Sequence, residues 1–182
     1  DYNGPARVSG SAGTGKTIVA LHSAVHLARK HPDARVLLTT FSDTLANALQ
    51  TKLKRLLGNE PRLGERIDVH SLNAIGLRLY KTHVGQATIA SREVLRELIN
   101  EAASSVGDHK FGTHFLLTEW EQVVDAWQLE NWEAYRDVAR LGRKKRLPEK
   151  QRTVLWSIFE HVRAGLKTRQ LITHAELFSA LA

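Results

Sequence analysis

The sequence contains no cysteine and no methionine. Without cysteine there is no disulfide framework, no thiolate metal site and no cysteine nucleophile, which suits a cytoplasmic protein. No apolar run approaches the roughly 18 residues of a membrane span, and no secretory leader pattern is visible. The first residue is Asp1 rather than Met, so the chain reads as a processed or excised piece of a longer protein.

What is present is a basic chain of 182 residues, enough for one domain or a small domain carrying an insertion. Its formal charge is +7. The excess is uneven: residues 1–82 hold 12 Lys and Arg against 6 Asp and Glu, whereas residues 83–182 hold 14 against 13. A basic N-terminal half suits a polyanionic partner; ordinary solubilising charge is the alternative.

The most informative segment is Gly10-Ser11-Ala12-Gly13-Thr14-Gly15-Lys16-Thr17, which fits G-x-x-x-x-G-K-[ST] at every fixed position. Glycines let a tight turn aim several N–H groups at one anion, and a helix that follows adds the positive end of its dipole. In such a loop Lys16 reaches the β- and γ-phosphates of ATP or GTP, and the Thr17 hydroxyl supplies one oxygen to Mg²⁺. Arg7-Val8-Ser9 reads as a strand entering the loop and Ile18 to Lys30 as a helix leaving it.

Strand and helix then alternate. Ala34 to Thr40 is a continuous aliphatic and β-branched run, expected to be a strand buried on both faces. Leu45 to Leu57 has helical spacing and stops at Gly58-Asn59-Glu60-Pro61. Arg66 to His70 reads as a strand, and Ser71 to His83 as a helix with Leu72, Ile75 and Leu79 on one side. This alternation predicts an open parallel sheet. After about residue 85 no convincing strand follows. Ser91 to Val106 carries a helical apolar stripe. Thr118-x-x-Glu121 and Thr173-x-x-Glu176 read as capping boxes, Asn131 as the cap of a short helix, and Pro148 as the start of a long one. The four tryptophans read as the core of this helical half. The expected fold is therefore α/β, with residues 1–84 as a nucleotide-binding core and residues 85–182 as a helical unit. The densest basic run, Arg140 to Arg146, is either a solvated loop or a contact to duplex phosphates.

Three segments together resemble superfamily-1 helicases of the UvrD/Rep type. They are the phosphate loop, Thr39-Thr40-Phe41-Ser42-Asp43 with Ala46 downstream, and Val69-His70-Ser71; the last two resemble the family's Thr-Phe-Thr-Asn and Thr-Phe-His-Ser motifs. The resemblance covers essentially the whole chain. It implies a P-loop NTPase (RecA-like) core with a partial parallel sheet, interrupted by an all-helical insertion. It also implies ATP and Mg as cofactors, and single-stranded DNA and a duplex junction as partners. Phe41, Ser42, Asp43, His70 and Ser71 would lie along the single strand, with Phe41 stacking on a base; a core residue closing the strand is the other reading of Phe41. Arg143, Lys144, Lys145 and Arg146 would grip the duplex. The chain departs from the family at Ile18, where Arg often follows the loop's Thr, at Asp43 in place of Asn, and at Val69 in place of Phe. The family's glutamine motif, Asp-Glu strand motif and arginine finger are not found within residues 1–182, so little ATP turnover is expected from this chain alone. Another P-loop class, a signalling ATPase or a kinase, and a non-catalytic nucleic-acid-binding module are the competing readings.

Overall fold

The structure is a computed structural model that describes residues 4–107, 109–139 and 147–182. The backbone divides into two compact units, Asp1–Ile75 and Gly76–Ala182.

In the first unit, α1 spans Lys16–Lys30 and buries Leu21, Ala24, Val25 and Ala28, the i, i+3, i+4, i+7 stripe of an amphipathic helix. Arg29 and Lys30 occupy its last turn, where cations complement the dipole. Strand β1 spans Val36–Thr40, α2 spans Asp43–Leu57, the short α3 spans Pro61–Gly64 and β2 spans Ile67–Ser71. Helix α2 starts where the Ser42 hydroxyl accepts a hydrogen bond from Leu45 N at 3.2 Å. It stops at Gly58, whose φ of 55° is easy for glycine. The two strands pair in parallel, Val36 opposite Ile67 through Thr40 opposite Ser71.

Side chains of alternate residues share a sheet face. Val36 and Leu38 of β1 and Ile67 and Val69 of β2 pack into one core with the buried stripes of α1 and α2. The opposite face carries Leu37, Thr39, Asp68 and His70 by register. The expected two-sided burial of the first strand is thus corrected: Leu37 is 54% exposed, because α1 and α2 both join the core on the other face. The expected strand at Arg7-Val8-Ser9 is corrected as well. These residues lie outside the sheet and are exposed. A segment becomes a strand only where a neighbour takes up its N–H and C=O groups, and among the described residues β1 and β2 pair only with each other.

Helix α4, Leu72–His83, runs from the first unit into the second. Its Leu72 and Leu79 are exposed, and Gly76 is the buried position. A Cβ there would come within 2.6 Å of the Phe178 ring, so glycine permits a close approach.

The second unit is helical: α5 (Arg92–Val106), α6 (Thr113–Glu119), a π-helical turn (Trp120–Val124), α7 (Trp132–Asp137), α8 (Glu149–Thr168) and α9 (His174–Ser179). Ser91, Asn131 and Thr173 cap α5, α7 and α9 by accepting from Val94, Ala134 and Glu176 N–H groups. Leu98, Ile99, Leu116, Leu155, Ile158 and Phe159 form the centre of a core that also encloses Tyr135 and Glu119. The Tyr135 hydroxyl donates to Glu119 Oε1 at 2.9 Å.

Thr118 does not open a helix. It lies inside α6, where its hydroxyl donates to the His114 carbonyl at 2.8 Å. Phe115, Leu116 and Leu117 extend the buried stripe back to Thr113, so the capping-box spacing falls within a continuing helix. Trp120 and Trp156 are buried and Trp132 packs at the edge of the core, but Trp127 is 67% exposed. The helix ends just before it in a turn that places Gln128 at φ 49° and directs Trp127 outward.

Candidate nucleotide and nucleic-acid site

The phosphate loop spans Gly10 to the start of α1. Gly13 and Gly15 have φ of 81° and 82°, the left-handed region that glycine alone enters without penalty. Gly10 is needed for a different reason, since a Cβ there would sit 2.6 Å from Thr14 Oγ1. The Thr14 hydroxyl donates to Ser11 O at 2.8 Å and ties the loop across itself. Lys16 folds its ammonium back over the turn, donating to Gly10 O at 2.9 Å and to Ser11 O at 2.5 Å. Ser11, Ala12 and Gly13 are exposed, as is Thr17 in the first turn of α1. No acidic residue occupies that first turn, so the positive end of a 15-residue helix is left uncompensated by its own side chains. Nothing lies within 4 Å of a Cβ built on Gly13 or Gly15. An exposed glycine turn at a helix start, with an ammonium beside it, is the setting in which backbone N–H groups hold a polyphosphate.

Among the described residues no group of three or more His, Cys, Asp or Glu side chains could hold a metal ion. Thr17 can offer one hydroxyl oxygen. That fits Mg²⁺ carried mainly by phosphate oxygens and water, the usual habit of this ion at nucleotides.

The second set of residues lies where the two strands end. Phe41 follows β1 and is 89% exposed, which overturns the reading of it as a core residue closing the strand. Ser42 is the cap of α2. Asp43, the first residue of α2, accepts a hydrogen bond from the Ser71 hydroxyl at 2.5 Å. Ser71 is 1% exposed, and its oxygen in turn accepts from Ala74 N at 3.1 Å. His70 is half-buried, opposite Thr39 on the open sheet face. Of these five residues, Ser42, Asp43 and Ser71 therefore have their side chains engaged within the protein, while Phe41 projects outward. The Asp43–Ser71 bond joins residues 28 apart, and no local pattern announces it. Gln50 is a second contributor that sequence reasoning missed: its amide donates to Val69 O at 2.8 Å, covering a carbonyl on the outer edge of β2.

A cleft of about 570 Å³ runs along α2, α3 and β2, lined by Gln50, Leu53, Lys54, Asp68 and His70 among others. It contains no phosphate-loop residue. Arg143, Lys144, Lys145 and Arg146 fall outside the described residues. No helix among the described residues is long and apolar enough to cross a membrane.

Comparison with protein-family models gives a match to the UvrD/REP helicase N-terminal domain over residues 1–179. No curated protein matches the chain.

Proposed function

The chain belongs to the UvrD/REP helicase family, and from that premise we propose that it is the ATP-binding portion of an ATP-dependent DNA helicase that moves along single-stranded DNA. Residues 1–84 serve as the RecA-like core and residues 85–182 as the helical insertion. The observation that carries the reading is the open phosphate loop, with left-handed Gly13 and Gly15 and with Lys16 folded over it.

Lys16 exchanges its hydrogen bonds to Gly10 O and Ser11 O for phosphate oxygens. The loop N–H groups and the start of α1 hold the remaining charge. Thr17 would offer its hydroxyl oxygen to the Mg²⁺ that accompanies the nucleotide. When bound, Mg-ATP would supply the β–γ phosphoanhydride bond whose cleavage by water drives movement; the protein's part is positioning and charge stabilisation. Phe41 offers its ring to a base without reading sequence, and His70 is within the same strand-end region for a further polar contact. Arg143 to Arg146 supply cations for duplex phosphates.

Binding of a fluorescent ATP analogue with Mg²⁺ tests this directly. We expect saturable binding that Lys16→Ala weakens at least tenfold, a loss of about 1.4 kcal/mol or more, together with little ATP turnover by the 182-residue chain itself. Binding unaffected by Lys16→Ala would remove the loop from the site. Robust turnover abolished by Lys16→Ala would show that the chain needs no Asp-Glu motif.

A further inference from the structure

Phe41 sits in a turn whose other side chains are all committed. Thr40 is buried, Ser42 caps α2, and Asp43 accepts from Ser71. Because Ser71 Oγ also receives Ala74 N–H, one buried hydroxyl joins the start of α2 to the start of α4 across two strand ends. An acid is a poor direct contact for a phosphate backbone, which it repels. It is a good acceptor for a buried serine, since hydrogen bonds to carboxylates are short and strong. Building on the reading of Phe41 as a base-stacking residue, we infer that Asp43 is a positioning residue. It pins the turn through Ser71, holds the Phe41 ring in its exposed pose, and does not itself touch nucleic acid.

The test uses the 182-residue chain and a fluorescent oligo-thymidylate at fixed low salt. Asp43→Asn keeps an oxygen acceptor for Ser71, whereas Asp43→Ala does not; the two variants carry the same charge, so their affinity ratio isolates the hydrogen bond. Asp43→Asn should bind at least as tightly as the unaltered chain. Asp43→Ala should bind roughly fivefold more weakly than Asp43→Asn, the fold-change of one net hydrogen bond. In a Phe41→Ala background that ratio should fall to about one, because no ring is left to position; a bond that only stabilised the fold would leave the ratio unchanged. If Asp43→Ala fails to fold, Ser71→Ala added to Asp43→Asn interrupts the same bond and should give the same Phe41-dependent loss. A ratio near one with oligonucleotide binding intact overturns the positioning role and leaves the DNA reading standing. Asp43→Asn as weak as Asp43→Ala means the carboxylate itself is used, and also overturns it. No binding by the unaltered chain overturns both.

Discussion

Replacing Phe41 by Ala should separate stability from function. The side chain is 89% exposed and belongs to neither core cluster. Truncating it therefore removes almost no buried apolar area, and the change in folding stability should stay within about 0.5 kcal/mol, as for surface positions generally. Stacking of a base on an aromatic ring is worth about 1–3 kcal/mol by alanine substitution. The loss in affinity for a single-stranded oligonucleotide should then lie between roughly 5-fold and 150-fold. Thermal unfolding reads the first quantity and fluorescence anisotropy with a labelled oligo-thymidylate reads the second. A salt series adds a third. Phe41 neutralises no phosphate, so the dependence of log K on log salt should keep its slope while the whole line drops. Phe41→Trp should retain most of the affinity. A variant that unfolds well below the unaltered chain, or one that binds as tightly at every salt concentration, would refute the assignment.

Replacing Arg143, Lys144, Lys145 and Arg146 together by Ala should act in the opposite way, flattening the salt slope for a duplex junction by up to about 0.9 for each phosphate that is no longer neutralised. Asp125 makes a pH-dependent prediction. Burial pushes its carboxyl above the ordinary value of 3.8, although Thr173 and Gln128 donate to it. A raised folded-state pKa means that its contribution to stability is complete below the unfolded value and is lost as pH rises through the folded value. Asp125→Asn, which keeps an oxygen acceptor without the charge, should melt higher than the unaltered chain near neutrality. That advantage should shrink to nothing at acid pH, and calorimetry across the carboxylate range checks it. Tyr135→Phe removes a donor to the fully buried Glu119 and should destabilise the chain by about 1–3 kcal/mol in urea titrations.

The helices with a local signature were legible from sequence. The stripe of α5 and the caps at Asn131 and Thr173 place periodicity or end within one short window. The phosphate loop was legible for the same reason, since Gly13 and Gly15 mark two left-handed residues and Gly10 a close approach. What failed depended on distant neighbours. Leu37 reads as buried by its own residue type, but its exposure is decided by which sheet face α1 and α2 cover. The Thr118 and Thr173 boxes have the same spacing; only the apolar residues before Thr118, packed into the core, keep the helix running through it. Ser42, Asp43 and Ser71 were readable as polar groups at strand ends. That two of them bond to each other is a product of strand register, which brings Thr40 beside Ser71.

The π-helical turn at Trp120–Val124 is held by Asp125 N donating to Trp120 O at 2.9 Å, five residues back rather than four. It amounts to one residue more than an α-helix would use over the same span. Deleting a residue there would regularise the helix locally, and by backbone propensity alone it would be welcome. Because the extra residue is absorbed within one wide turn, the chain on either side of it would keep its phase. Asp125 would stay beside Thr173, whose hydroxyl reaches it at 2.6 Å and whose oxygen also begins α9. The wide turn thus works as a local absorber of chain length in the helical unit, and loss of one residue from this stretch should be tolerated better than loss of one from the regular turns of α5 or α8.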